Sequence, residues 1–227
     1  MAELTINWET LSSIPKPDKD AAAPVVTSEE AKPADAAPAD PAPAAAKLAS
    51  DKPYFIYVTD GTSKVTTGID TVEKVILEDD RIKLGARAFH AVKMTPEDAK
   101  ADTLLADRGG REVPRIIFVT ADLKTVKPLE SGSLKLGEVW SSMKQTANRW
   151  YKQDLDALVR DLKEVLIVFD KVNAERKVLD EKEKRDSGKA TEADKKDLAA
   201  KRAELDAKEK KANDRKTALW ELKTKAA

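Results

Sequence analysis

Apolar residues fall into three distinct patterns along the chain, separated by a segment with almost none. The first pattern is short. Leu4, Ile6 and Trp8 alternate, which suits a strand, whereas Leu4, Trp8 and Leu11 suit a helical turn. Residues 1–14 therefore read in two ways. They form a tethered docking segment in which Ile6, Trp8, Leu11 and Ile14 meet a partner with Trp8 as anchor, or a piece that packs back on its own domain or is simply a frayed end. Residues 15–50 follow, dominated by Pro, Ala, Asp and Lys (PADAAPADPAPAAAK). Proline removes backbone donors, and alanine supplies too little apolar surface for a core, so a disordered linker is expected. Its random-coil reach is on the order of 30–40 Å.

The second pattern, over 51–135, mixes strand-like and helix-like runs. PYFIYVT (53–59) is rich in aromatic and β-branched residues and predicts a strand. After the loop Asp60–Gly68, Ile69, Val72, Val75, Ile76 and Ile82 recur at helical spacing, and Gly85 is expected to end that helix. ARAFHAVKM (86–94) predicts a second strand. Thr95-Pro96-Glu97-Asp98 reads as an N-cap, a first-position proline and first-turn acids, opening a helix to about Asp107. VPRIIFVT (113–120) and TVKPLE (125–130) predict two more strands, with Pro128 suited to an edge. The order β-α-β-α-β-β followed by a helix makes a four-stranded α/β sheet.

The third pattern, over 136–227, is a heptad seam. Leu155, Leu158, Leu162, Val165, Phe169 and Val172 are spaced alternately by three and four; Arg176 breaks the series and Leu179 resumes it. No glycine or proline interrupts 138–186, so one unbroken helix of about 75 Å is expected. Ser187-Gly188 breaks it. A second helix follows from Thr191, a candidate N-cap, with the thin seam Leu198, Leu205, Ala212 and Leu219. The short connection predicts a long antiparallel hairpin. Near its base VLIVF (165–169) is apolar nearly all round, more than two helices can cover, and Trp140 and Trp150 lie in the same region.

Composition narrows the chemistry. Charged residues make up 36% and aromatics 5%, too polar for one compact globule of 227 residues. Lys+Arg and Asp+Glu are both 41, which argues against a nucleic-acid binder. There is no cysteine, so disulfides, thiolate nucleophiles and Cys-based metal sites are excluded, and the single histidine, His90, offers no His cluster. No cofactor is implied. MAELTINWET has neither a basic nor an apolar leader region, and no span suits a membrane; a cytoplasmic location without membrane insertion is the default expectation.

The element order, together with Val113-Pro114 at the start of RIIFVTADLKTV, resembles the thioredoxin fold. In that family a hydrophobic residue and a cis-proline stand at this point, and the loop after the first of these strands carries Cys-x-x-C. Here that loop reads DGTSKVTTG. The resemblance therefore implies a head with the thiol chemistry removed, and a binding groove beside Pro114. Thr62, Ser63, Thr66 and Thr67 cannot supply the thiolate that disulfide exchange requires.

These readings lead to a non-catalytic scaffold or adaptor that binds other proteins, within a large complex or as a homo-oligomer. The candidate contact residues are Ile6, Trp8, Leu11, Ile14, Pro114, Trp140, Trp150, Leu155, Leu158, Leu162, Val165, Phe169 and Val172. The alternatives are a chaperone-like holder of extended chains, and an enzyme with unrecognised chemistry around Asp60, Lys64 and His90.

Overall fold

The computed structural model describes residues 4–10, 51–60, 67–186 and 191–225. Leu11, Ile14, the linker over 15–50 and the loop residues 61–66, among them Thr62, Ser63, Lys64 and Thr66, lie outside them. Four strands form a mixed sheet: β2 (Tyr54–Val58), β3 (His90–Met94), β4 (Arg115–Val119) and β5 (Val126–Leu129), with a two-residue β1 (Glu9–Thr10) added at one edge. The order is β1-β3-β2-β4-β5. β3 runs parallel to both β1 and β2, while β4 is antiparallel to β2 and β5. All five residues of β2 and of β4 are buried. Both sheet faces are covered, which is why these strands read as continuous apolar runs rather than as alternating ones. The Val113–Pro114 peptide is cis.

The sheet divides the core in two. On one face Phe55, Tyr57, Ile116 and Phe118 pack with the long helices. On the other Tyr54, Ile56, Val58, Val92 and Ile117 pack with Ala99 and Leu105. The second face is closed by α3 (Pro96–Ala101), which Thr95 caps by accepting from the Asp98 N–H at 3.1 Å. This helix is shorter than the reach to Asp107 expected from sequence. Asp102 ends it, its carboxylate accepting from the Leu104 and Leu105 N–H groups at 2.9 and 3.1 Å and turning the chain early.

The segment between β2 and β3 is not one helix. α1 (Thr67–Thr71) widens into a π-helical turn, Val72–Ile76, and the chain then restarts at Asp79, whose carboxylate accepts from the Arg81 N–H at 2.8 Å and caps α2 (Asp80–Ala86). The helix ends at Ala86, one residue past Gly85, and the glycine is buried in its last turn. A Cβ there would stand 2.6 Å from Met143 Sδ and 3.0 Å from Trp140 Cζ3. Glycine is needed for the close approach of α2 to the next helix.

The C-terminal region also departs from expectation. In place of one helix over 138–186 there are two, α4 (Leu136–Trp150) and α5 (Leu155–Asp186). The break needs neither glycine nor proline. Asp154 accepts from the Ala157 N–H at 3.0 Å, and Asn148 accepts from the Leu155 N–H at 3.0 Å while donating to Asp154 at 2.7 Å. The Ala157 N–H, the first of several donors to it, holds the Asp154 carboxyl below the usual carboxylate range. The residues freed from the helix pair with the C-terminus: the Lys152 N–H donates to the Lys223 carbonyl and the Lys225 N–H to the Trp150 carbonyl, each at 2.8 Å.

α6 (Glu192–Trp220) starts at Thr191, which accepts from the Asp194 N–H at 3.2 Å while Asp194 accepts in return from the Thr191 N–H. The ion-pair register fixes its direction. Glu164 meets Arg215, Arg176 meets Asp206 and Glu209, and Asp180 and Glu183 meet Arg202. Later residues of α5 meet earlier residues of α6, so the pair is an antiparallel hairpin. Leu198, Leu205 and Ala212 are its buried positions on α6. Arg176, the residue that interrupts the heptad series, sits opposite two carboxylates of the returning arm.

Candidate binding surface

The structure places most of the sequence-derived contact residues inside the molecule. Trp8 packs against Phe55 and Tyr57 with ring centroids 5.4 and 6.0 Å apart, and Leu4 and Ile6 lean on the same core. Of the two readings of this segment, residues 4–10 take the one that packs on the domain, because β1 finds an open parallel edge at β3 and Trp8 an aromatic bed. His90, on β3, lies 2.8 Å from Asp51 and 3.5 Å from Glu9, so it bridges the two sides of the 11–50 segment. Its hydrogen bond holds the Asp51 carboxyl below the ordinary carboxylate value.

Trp140 is buried and donates from Nε1 to Asp156 at 3.0 Å; Trp150 is half-buried and donates to the Asp51 carbonyl at 3.1 Å. Leu155, Leu158, Leu162, Val165 and Val172 are all buried, the first three within the same cluster as the sheet. Pro114 is buried as well, leaving Val113 half-covered at the start of β4. These side chains are not offered to a partner. Full burial of each of these leucines stabilises the fold by roughly 1.5–3 kcal/mol, and Leu155, Leu158 and Leu162 join the hairpin to the head.

What remains outside is smaller. Ile167 is 52% exposed, Val168 37% and Val178 62%, all on α5; Val75, on the head, is 54% exposed. Ile167 also borders a groove of about 380 Å³ where α5, α6 and the N-terminal segment meet. Leu4, Leu166 and Phe169 supply its apolar lining, and Asp80, Lys163 and Lys216 charged groups. Lys216 Nζ stands 5.8 Å from the centre of the Phe169 ring, a cation–π contact. Phe169 is only half-buried. The excess of apolar surface in VLIVF was visible in the sequence. Which two of its residues stay outside was not, because that depends on where the head and α6 press on α5. Val178 carried no signal beyond lying next to the seam residue Leu179.

Two further features show how the head is finished. Burial, with the nearby Glu73 carboxylate adding to it, pushes the Tyr57 phenol up to about 12. Tyr151 donates to the Ala88 carbonyl at 2.9 Å, and burial raises its phenol further still. Both groups therefore stay neutral at any physiological pH.

Comparison with family models, with curated proteins and with solved structures returned no match. Among the described residues no group of three His, Cys, Asp or Glu is placed to hold a metal ion. Among the same residues no helix is long and apolar enough to cross a membrane.

Proposed function

We propose that this chain is a non-catalytic scaffold or adaptor that binds other proteins through the base of its helical hairpin. The observation that carries the reading is the apolar surface left on α5 after the fold is complete: exposed Ile167 at the edge of the groove lined by Leu166 and Phe169. A groove with an apolar floor and a rim of both charge signs is suited to an amphipathic segment, whose apolar residues enter while its charges pair at the rim. The clamp between Trp150–Lys152 and Lys223–Lys225 supports the same reading, since it holds both arms of the hairpin at fixed places on the head.

The head we read as thioredoxin-like, with its thiol chemistry absent. The strand order, with two parallel and two antiparallel pairings, and the position of Val113-Pro114 at the start of β4 support that reading. The sequence holds no cysteine with which such a head could exchange disulfides. The head then serves as a rigid base for the hairpin.

The test fills the groove without touching the core. Asn173 and Asn213 line it and are exposed. Asn173→Arg combined with Asn213→Glu is expected to leave the melting temperature within about 1–2 °C, as surface changes do. The native size of the protein in cell extract should fall towards that of the free 24.9 kDa chain. An unchanged native size in the doubly substituted chain would remove the groove from the account.

A further inference from the structure

α5 carries a second series of residues spaced by three and four, on an exposed face that α6 meets only at its margin. Ala157, Arg160, Glu164, Ile167, Lys171, Ala174 and Val178 fall at this spacing, with Val168 and Glu175 flanking them along one edge, and all but the half-buried Ala157 are exposed. The packed seam of Leu158, Leu162, Val165 and Val172 lies on a different side of the helix. A 3-4 series is the pattern by which one helix packs along another. The outer series has apolar residues at its centre and towards both ends, and charges between.

The order of those charges is self-complementary under reversal. When a second α5 is laid antiparallel across the first, with the two-fold axis between Ile167 and Val168, Ile167 meets Val168 of the other copy. Glu164 then meets Lys171, Arg160 meets Glu175 and Ala157 meets Val178. Symmetry repeats each contact, so four ion pairs of opposite sign flank a central apolar patch, and no like charges face each other in this register. We propose that two copies of the chain pair through this stripe, antiparallel, about a two-fold axis between Ile167 and Val168. An isologous contact requires such a self-complementary surface.

The stripe extends about 30 Å along the helix. One helix face of this length buries less than a standard protein–protein interface, so the dimer dissociates on dilution. Glu164 already accepts from Arg215 of its own α6 at 3.0 Å, which holds its carboxylate at the margin of the stripe. Glu175 has only a looser ion pair, 4.0 Å from Lys208, whose nearer partner is Glu204 at 2.9 Å. Glu164 is therefore partly ordered before the second copy arrives, and less of its side-chain entropy is lost on pairing.

The inference deepens the reading of the hairpin as a binding element by naming one of its partners. It stands or falls apart from the groove, whose test uses Asn173 and Asn213. The experiment is mass determination by light scattering on the full chain from low to high micromolar concentration. Wild type is expected to rise from 24.9 kDa towards twice that value. Glu164→Lys alone and Lys171→Glu alone each place like charges opposite one another at two symmetric sites, and both variants should stay monomeric over the same range. The double variant reverses both partners and should regain the dimer, although its contact from position 164 to Arg215 is not restored. Ile167→Asp should be monomeric, with the helical circular dichroism of wild type confirming that the hairpin is intact. A wild-type chain that stays monomeric throughout overturns the proposal. A dimer indifferent to the single reversals, or one that the double variant does not regain, overturns it equally.

Discussion

Leu162→Ala is expected to destabilise the whole molecule by about 2–5 kcal/mol, the range for removing a buried leucine where the surroundings collapse only partly. Leu162 is 3% exposed and belongs to the cluster that contains Phe55, Phe118 and Met143. It lies on the hairpin but packs with the head. The cavity would therefore open where the two meet, and in a chain of this size thermal unfolding should move down by on the order of 10 °C. Leu198→Ala is the matched comparison. Leu198 is also buried, but it lies on α6 far from the sheet, near the end of the hairpin where charged residues dominate. Its truncation should loosen that end and leave the main transition in place. Had the hairpin been an independent stalk, both changes would spare the head.

Gly85→Val is expected to be destabilising by about 1–3 kcal/mol or more, through overpacking rather than through a cavity. The first added carbon already stands 2.6 Å from Met143 Sδ, so the methionine, fully buried in the same cluster as Trp140, must shift to admit it. Leu155 lies 3.7 Å away on the third side. Valine adds two further methyl groups in this confined place. Gly85→Ala should cost less, since Met143 is unbranched and adapts. Chemical denaturation of the two variants and wild type gives the order wild type, alanine, valine. Equal stability of all three would show that α2 and α4 do not approach as closely as described.

The parts of the fold that depend on neighbouring residues were legible in the sequence. The strands at 54–58 and 115–119 announce themselves by β-branched and aromatic runs, and Thr95 and Thr191 by the acids that follow them within one turn. The antiparallel hairpin follows from two periodic stretches and one short connection. Features that depend on distant residues were not legible. The break between α4 and α5 carries no glycine or proline. It exists because Asn148 and Asp154 satisfy the helix end and because the freed Lys152 backbone meets Lys223, far along the chain. Gly85 does stand in the last turn of α2, as its local meaning suggests, but the close approach of Met143 and Trp140 from another helix was not legible.

The candidate contact residues were harder still, and for a general reason. An apolar side chain looks the same in sequence whether it faces its own core or a partner. Trp140, Leu155, Leu158 and Leu162 met the criteria for an interface and are occupied by the junction between hairpin and head. Ile167 and Val168, their immediate neighbours, are left over because a helix presents every direction and the head and α6 cover only part of the circumference.

We propose that α5, rather than the head, presents the chain's interaction surface. This is tested most directly by placing a photo-activated cross-linking side chain at one of two positions of nearly equal exposure. These are Ile167, on α5 and 52% exposed, and Val75, on the head and 54% exposed. Irradiation in intact cells is predicted to give a discrete higher-mass adduct from position 167, containing a second copy of the chain or another protein, and none from position 75. Adducts from position 75 alone, or equally from both, would contradict the account.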